Sequence, residues 1–297
     1  MEYIFIVNNA AGNKKIKERI EKDLEKYESK IPFKIYITKC PKDATNYVKE
    51  YCTKNNIEET CFVACGGDGT INEVSSALVG QTNKYLGILA FGSGNDFIKY
   101  YENKDFTSID KLLSGTAEKI DIIKVNESYA INMCNVGFEA MVGSVANKVK
   151  EKGGKHSYTK GIIKAVFSAR YNDIDIYADG EKLTKGKILL ASLANCKYAG
   201  GKYKCAPKAI NNDGLIDVCI FHSMSLIRFL SCIKIYTRGE HLEYKKIENK
   251  RVYRQAKNIK IESKKPIEIV LDGETLSSTN FDISILQKEI NLIIPSN

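Results

Sequence analysis

The chain has 297 residues and a formal net charge of +9, with 43% hydrophobic and 27% charged residues. This composition is typical of a globular protein of about two domains and excludes an intrinsically disordered chain. The positive charge indicates an anionic partner, such as a nucleotide, a nucleic acid or an acidic membrane face, or else a lysine-rich surface that favours solubility.

Nine scattered cysteines form no CxxC pair, a pattern typical of reduced, buried thiols in a cytosolic protein. With only three histidines, a cysteine–histidine zinc site is not expected. Residues 1–10 lack the basic lead and long apolar core of a signal peptide, and no apolar run is long enough for a membrane-spanning helix. We therefore expect a cytoplasmic protein.

Strand and helix patterns alternate through the first 115 residues. Short β-branched runs predict strands, and apolar residues at three- and four-residue spacing predict helices between them. The predicted strands cover residues 3–7, 33–38, 61–65 and 86–90, and the predicted helices cover 14–31, 42–55 and 70–79. This alternation predicts a Rossmann-like α/β domain over residues 1–118, with a parallel sheet between helices.

From about residue 119 the pattern changes to strands joined by turns, of which Asp179-Gly180 is a clear hairpin signal. It predicts an antiparallel β-sandwich, or a wide barrel, over residues 119–297, whose last residues could return to the first domain. Two helical stretches, about 140–170 and 225–239, interrupt the strands.

Residues 66–70, Gly-Gly-Asp-Gly-Thr, stand between the third predicted strand and a helix. Glycines let the backbone approach an anion, and N–H groups at a helix start point towards phosphate oxygens. A carboxylate such as Asp68 fits there if it holds Mg²⁺ or accepts hydrogen bonds from the loop. The alternative is a tight turn in which Thr70 is an N-cap and Glu73 completes a capping box.

Two similar loops follow other predicted strands. Residues 91–97 offer the Ser93 hydroxyl, the Asn95 amide and the Asp96 carboxylate, and residues 8–15 are rich in Asn and small side chains. Each alone reads as an ordinary turn between a strand and a helix. Three such loops at one edge of a parallel sheet indicate a ligand site, because ligands bind beyond the carboxyl ends of these strands.

Six motifs in order give the chain a resemblance to the diacylglycerol-kinase catalytic family, in its soluble bacterial lipid-kinase branch, with sphingosine kinases and NAD kinases as more distant relatives. They are NNAAGNKK (8–15), GGDGTINE (66–73), FGSGNDF (91–97), NVGFEAMV (135–142), YAGGKYKCAPKAINNDGLIDV (198–218) and LDGE (271–274). The resemblance covers nearly the whole chain. Asn9 stands where the family has proline, and Ser93 stands where it has threonine.

The resemblance implies an ATP-dependent enzyme whose active site lies in the cleft between the two domains. It implies a Mg²⁺ ion bridging ATP, with Asp68 as its protein partner, and places Asp96 near the phosphates or the lipid headgroup. The residues implied for nucleotide binding are Asn8, Asn9, Ala10, Ala11, Gly12, Thr38, Gly66, Gly67, Asp68, Gly69, Thr70, Asn72, Glu73, Ser93 and Asn95.

The resemblance also marks Asp272 and Glu274 as catalytic, with Glu274 favoured as the general base on the acceptor hydroxyl. From the residues alone, this segment reads as an Asp-Gly hairpin turn with an exposed glutamate. Family analogy further places a structural Mg²⁺ on the Asp213 carboxylate and the carbonyls of Ile210 and Leu215. The alternative for that segment is an Asx turn before a strand.

The leading interpretation is an ATP-dependent lipid kinase that phosphorylates a lipid alcohol, most simply diacylglycerol. An NAD kinase and a non-catalytic nucleotide-binding regulator are the alternatives, and no motif indicates nucleic-acid binding. Such a kinase would visit the inner membrane face through residues 147–164 or the helix at 225–239, unless that helix packs in the core. The identity of the lipid and the oligomeric state, a homodimer included, stay open.

Overall fold

The computed structural model describes residues 1–11, 15–137 and 173–297, apart from the side chains of Leu226, Phe229 and Leu230. Contacts divide the chain into a first unit, Met1–Ile122 with Gln287–Asn297, and a second unit, Ile123–Leu286. The predicted helix at 140–170, the lysine-rich segment 147–164 and most of the motif at 135–142 lie outside the described residues.

The first unit alternates strands and helices. Its strands are β1 (Glu2–Val7), β2 (Phe33–Ile37), β3 (Thr60–Gly66) and β4 (Lys84–Ala90), followed by the start of β5 (Thr116–Val125). Its helices are α1 (Ile16–Leu24), α2 (Asp43–Lys54), α3 (Asp68–Ala77) and α4 (Ile109–Leu113).

Parallel pairing sets the strand order β4–β3–β1–β2 in this unit. All seven residues of β3 are buried, as expected for a central strand with helices on both faces. Apolar residues Ile16, Ile20 and Leu24 of α1 pack on one face of the sheet, at the predicted helical spacing. The α/β prediction for this part of the chain is confirmed.

The second unit is built almost entirely of antiparallel strands. They are the end of β5, then β6 (Ser128–Ala130), β7 (Met133–Gly137), β8 (Ile174–Ala178), β9 (Glu181–Lys182), β10 (Ile188–Ala194), β11 (Ile216–His222), β12 (Arg251–Ala256), β13 (Asn258–Leu271) and β14 (Glu274–Ile294). One helix, α5 (Leu226–Arg238), is described in this unit.

Strand pairing in the second unit runs β12–β11–β10–β7–β13–β14, and β8 pairs with the first half of β13. A cluster of buried side chains, among them Val136, Leu193 and Ile269, fills the core of this unit. The predicted antiparallel sandwich is confirmed, and so is the hairpin at Asp179-Gly180, where both residues have positive φ.

His241 is a fully buried group of the second unit, packed against the rings of Phe221 and Tyr236 and 3.7 Å from the Cys219 sulfur. Burial lowers its pKa from 6.5 to about 4, with a smaller contribution from the positive charge of Arg251. The unfolded chain therefore binds a proton between pH 6.5 and 4 that the folded protein excludes.

We expect acidification from pH 7 to pH 4 to cost about 3 kcal/mol of unfolding free energy through His241 alone. The contribution of neutral, buried His241 to the unfolding free energy is fully present above pH 6.5, and it is lost as the pH falls towards 4. Urea titrations of the wild type and His241→Phe across this range check the value. The pH dependence should be clearly shallower in His241→Phe and less altered in His222→Gln, because burial lowers the pKa of His222 as well but by a smaller amount; identical slopes in the wild type and His241→Phe would contradict the assignment.

All nine cysteines are free thiols, and all except Cys40 are buried, as the scattered pattern predicts. Within the described residues, no helix combines the length and the apolar character needed to cross a membrane.

Candidate functional site

Three loops of the first unit meet at one edge of its sheet, because β1, β3 and β4 are neighbours and end together. Main-chain hydrogen bonds extend the ladder past the strand ends. The Asn8 N–H donates to the Cys65 carbonyl at 3.0 Å, and the Phe91 N–H donates to the Gly66 carbonyl at 2.8 Å. The loops that the sequence singled out after these strands therefore lie side by side.

The Asn8 side chain joins the first loop to α3. Its Nδ2 donates to Thr70 Oγ1 at 3.1 Å, while its Oδ1 accepts the Ala10 N–H at 3.0 Å. Helix α3 begins two residues earlier than predicted, at Asp68, with Gly67 in the N-cap position. The capping-box alternative for Thr70 is therefore wrong, since its hydroxyl is a partner of Asn8 and lies inside the helix.

Asn9, which replaces the proline of the family, stabilises the start of the next helix. Its Oδ1 accepts the Lys17 N–H at 3.0 Å, which satisfies one of the unpaired donors in the first turn of α1. This hydrogen bond offers a way of fixing the loop that does not need a proline ring.

Glycines at several positions are required by close contacts in the loops after β3 and β4, which touch at Gly67 and Gly92. A Cβ on Gly92 would lie 2.5 Å from the Gly67 Cα and 2.5 Å from Asn95 Oδ1, and a Cβ on Gly66 would lie 2.3 Å from Thr70 Oγ1. Gly69 differs, because its Cβ would meet no atom within 4 Å. The close approach of the loops thus accounts for Gly92, and contact with the Thr70 side chain accounts for Gly66. Neither accounts for Gly69, whose open side faces solvent at the first turn of α3.

We expect Gly92→Ala to lower the free energy of unfolding by about 1–3 kcal/mol, because the added methyl group collides with backbone. Gly69→Ala should leave stability unchanged or raise it by up to about 1 kcal/mol, because alanine favours a helix. If the absence of a side chain at residue 69 allows a phosphate group to approach the backbone, Gly69→Ala should also bind ATP more weakly. Urea titration and calorimetric titration with ATP measure the two effects; unchanged ATP affinity in Gly69→Ala would contradict the second.

Asp68 lies at the centre of this arrangement and is partly buried. Its Oδ1 accepts the Asp96 N–H at 2.6 Å and the Phe97 N–H at 3.4 Å. Burial raises the pKa of Asp68, and the negative charge of Asp96 raises it further, while the N–H donors act in the opposite direction. The charged carboxylate is therefore held in an environment that would favour a nearby cation.

Asn95 adds an unsatisfied acceptor to the same loop. It has a left-handed backbone (φ +50°), and its Nδ2 donates to the Gly92 carbonyl at 2.9 Å. Its Oδ1 is buried and has no hydrogen-bond partner in the part of the chain that the structure describes. A carboxylate with a raised pKa and an unpaired amide oxygen in the loop that is hydrogen-bonded to it are both oxygen donors of the type that suits a hard divalent cation.

Other residues predicted for nucleotide binding have varied surroundings. The Glu73 carboxylate accepts the N–H groups of Lys42 and Ala44 at 3.0 and 3.2 Å, so it stabilises the start of α2. Thr38 is half-buried and Ser93 is exposed, whereas Asn72 is buried in α3. Gly12 lies outside the described residues.

In the second unit, the predicted catalytic segment is the turn between β13 and β14. Asp272 (φ +46°) and Gly273 (φ +97°) both have positive φ, as a tight two-residue hairpin requires. The Asp272 carboxylate accepts the N–H groups of Asn132 and Met133 at 3.1 and 2.9 Å. These bonds attach the turn to the start of β7.

Glu274 follows the turn as the first residue of β14 and is exposed. Within the described residues its carboxylate has no hydrogen bond or ion pair, so its lone pairs are available to a substrate. Asp179 supplies a comparison, since its carboxylate in the other Asp-Gly hairpin also accepts two main-chain N–H groups, from Lys257 and Asn258. A structural role therefore suffices for Asp272, whereas no described contact occupies the Glu274 carboxylate.

Asp213 lies in an exposed turn before β11, where its Oδ1 accepts the Leu215 N–H at 3.0 Å, as in an Asx turn. Asp217 is buried behind it and accepts the Tyr253 hydroxyl at 2.6 Å. Burial raises the pKa of Asp217, although its hydrogen bonds to Tyr253 and Gln255 oppose this. No group of three or more His, Cys, Asp or Glu side chains within residues 1–11, 15–137 and 173–297 could hold a metal, so an ion here would depend on carbonyl ligands such as Ile210 and Leu215.

The sequence did not single out two charged residues, Lys99 and Asp121, whose contacts are clear in the structure. Lys99 forms an ion pair with Asp96 at 2.7 Å, and the three-residue spacing of the two charges is the signal that would have found it. Asp121 is a fully buried carboxylate in β5, and it accepts the N–H of Lys288, which has a φ of +52°. A single acidic residue in an apolar strand is the corresponding signal for Asp121.

Two family models together match nearly the whole chain. The diacylglycerol kinase catalytic domain matches residues 2–125, and the YegS C-terminal NAD kinase beta sandwich-like domain matches residues 132–294. A diacylglycerol kinase of Bacillus subtilis (strain 168) is 29% identical over 98% of this chain and 95% of its own. A probable lipid kinase YegS-like protein of Alcanivorax borkumensis is 30% identical over 85% of this chain and 84% of its own.

Solved structures agree with this relationship. A crystal structure from Bacillus anthracis str. Sterne, of a protein assigned as a diacylglycerol kinase, superposes with a TM-score of 0.78. Its sequence is 25% identical, and the match covers 99% of this chain and 95% of that one. The described loops and turns carry the family's motifs at the expected positions. The chain therefore belongs to the diacylglycerol kinase family of YegS-like lipid kinases, and it is an ATP-dependent lipid kinase.

Proposed function

We propose that the protein transfers the γ-phosphoryl group of ATP to the free hydroxyl of diacylglycerol, giving phosphatidic acid and ADP. The relatives described above include a diacylglycerol kinase that aligns over almost the full length of both chains, which favours this lipid. The observation that carries the proposal is the set around Asp68: a carboxylate with a raised pKa, an unpaired Asn95 oxygen and backbone made accessible by glycine.

Asp68, together with the Asn95 amide oxygen of the adjoining loop, would hold the divalent metal that this family uses, and we propose Mg²⁺ because these donors are oxygens. Such an ion, when bound, supplies charge neutralisation of the triphosphate. The N–H groups at the start of α3 would bind phosphate oxygens, and Gly69 would leave them room. Asp213, with the Ile210 and Leu215 carbonyls, is our candidate for a second, structural Mg²⁺.

Glu274 would act as the general base. The lipid hydroxyl oxygen forms the new bond to the γ-phosphorus, the bond between that phosphorus and the bridging oxygen of ADP breaks, and the hydroxyl proton passes to the Glu274 carboxylate. Asp272 would hold the turn that presents Glu274, through its two main-chain hydrogen bonds.

NAD is the second candidate acceptor, because the C-terminal family model is described as NAD kinase-like. The test is a kinase assay of purified protein with ATP and Mg²⁺, with diacylglycerol in mixed micelles or NAD in solution as the acceptor. We expect phosphatidic acid and no NADP. Formation of NADP alone would replace the proposal, and a labelled product from another lipid alcohol in a panel would correct the substrate.

A further inference from the structure

The N-terminal end of α5 and the neighbouring segment Lys245–Lys250 enclose a groove of about 350 Å³ on the second unit. Ile227, Arg228 and Lys246 are exposed around it, and we refer to these three residues as the Ile227 surface. Ser225 caps the helix and accepts the Arg228 N–H at 3.4 Å, which fixes the backbone that carries Ile227 and Arg228.

Ile227 is 83% exposed, and among the large apolar side chains of the described residues only Ile57, at 85%, is as exposed. The two isoleucines differ in the charge around them. Ile57 is followed by Glu58 and Glu59, whereas Ile227 is followed by Arg228. A single exposed isoleucine needs no explanation, but an isoleucine that shares one groove with two cations is the combination that binds the face of an anionic bilayer.

Positive charge dominates helix α5, and the neighbouring segment Lys245–Lys250 carries three lysines and one acidic residue, Glu248. The 13 residues of α5 include Arg228, Lys234 and Arg238 and no acidic residue. Arg238 has a carboxylate partner, Glu240, at 4.0 Å, but neither Arg228 nor Lys246 has an ion-pair partner within the part of the chain described. These two cations are therefore available to an external anion, and they stand beside the exposed isoleucine.

We propose that the Ile227 surface docks the enzyme on anionic membranes, with Ile227 in the headgroup region and Arg228 and Lys246 on lipid phosphates. The inference rests on the proposed function, because a lipid alcohol substrate is presented by a bilayer. The lipid phosphate is the occupant that matches an exposed apolar side chain in one groove with two unpaired cations. The overall charge of +9 would add a weaker attraction over the rest of the protein.

The test is sedimentation of the full chain with vesicles of phosphatidylcholine, with or without phosphatidylglycerol. The wild type should bind the anionic vesicles, and high salt should release it. Ile227→Asp should lower the partition coefficient about tenfold, since it removes an apolar side chain that the bilayer would bury on docking. The double variant Arg228→Glu with Lys246→Glu should lose binding similarly, while the equally exposed control Ile57→Asp should stay within about twofold of the wild type.

Equal binding by the Ile227 and Ile57 variants, or equal binding of the wild type to neutral and anionic vesicles, would overturn the proposal. The proposal would also be overturned if the wild type formed a concentration-dependent dimer without vesicles and Ile227→Asp abolished it. The Ile227 surface would then bind a second copy of the protein and not a membrane. Activity in detergent micelles separates this proposal from the proposed function: Ile227→Asp should keep micelle activity. If the wild type bound anionic vesicles but phosphorylated no lipid in micelles, only the proposed function would be contradicted, and the docking proposal would stand.

Discussion

Asp68→Asn should reduce phosphoryl transfer by roughly 100- to 1,000-fold or more while leaving the protein at least as stable as the wild type. Asparagine keeps an oxygen that can accept the Asp96 N–H, so the loop retains its main contact. It also removes a charge that the folded protein holds at a cost, since burial and Asp96 raise the pKa of Asp68. Loss of activity without loss of stability is the expected sign of a functional charge.

Initial rates with labelled ATP and thermal unfolding measure the two effects of Asp68→Asn. The matched control is Asp110→Asn, which removes an exposed carboxylate of the same unit that pairs with Lys26 at 2.7 Å. We expect this control to keep wild-type turnover. Wild-type turnover by Asp68→Asn would instead remove Asp68 from the catalytic site.

Glu274→Gln should lower kcat by about 10²- to 10⁴-fold with little change in the KM for ATP, because it removes the proton acceptor for the lipid hydroxyl. Its stability should not change, since the Glu274 side chain is exposed. Asp272→Asn should instead lower the unfolding free energy by about 1–3 kcal/mol, because asparagine offers one acceptor oxygen to two main-chain N–H groups.

The Asp179→Asn variant is the control for this pair, because Asp179 makes similar main-chain hydrogen bonds in a hairpin outside the predicted site. It should lose stability and keep kinase activity. Steady-state kinetics across pH and urea titrations of the three variants separate the roles. If Glu274→Gln kept full kcat and Asp272→Asn lost activity at unchanged stability, the base would be Asp272.

The fold class could be predicted from periodicity, but strand lengths could not. Residues 259–263 and 267–271 read as two strands because Pro266 interrupts the pattern, yet β13 continues through a register shift between Glu262 and Ile267. A bulge accommodates the proline, which cannot donate to the ladder. The polar break around Lys288 likewise reads as a turn, and β14 continues through it because the buried Asp121 accepts the Lys288 N–H.

The candidate site shows the same division between local and long-range information. Glycine-rich loops after strands could be recognised from the sequence, and so could Asp68. Gly92 must be glycine because the backbone at Gly67, 25 residues earlier, lies against it, whereas Gly69 has open space around it. A local sequence pattern does not contain this difference, because it depends on contacts between distant loops. The Glu73 carboxylate is bonded to N–H groups 29 and 31 residues earlier, so its structural role became visible only in three dimensions.

The return of residues 287–297 to the first unit has a consequence for biosynthesis. Asn291 and Leu292 pair with β4, and Ile293 belongs to the hydrophobic core of the first unit. These residues follow the second unit in the chain, so during synthesis the first unit cannot complete its sheet until the whole second unit has been translated, although its first 122 residues emerge early. Nascent chains stalled before residue 287 should therefore remain sensitive to protease in their N-terminal half.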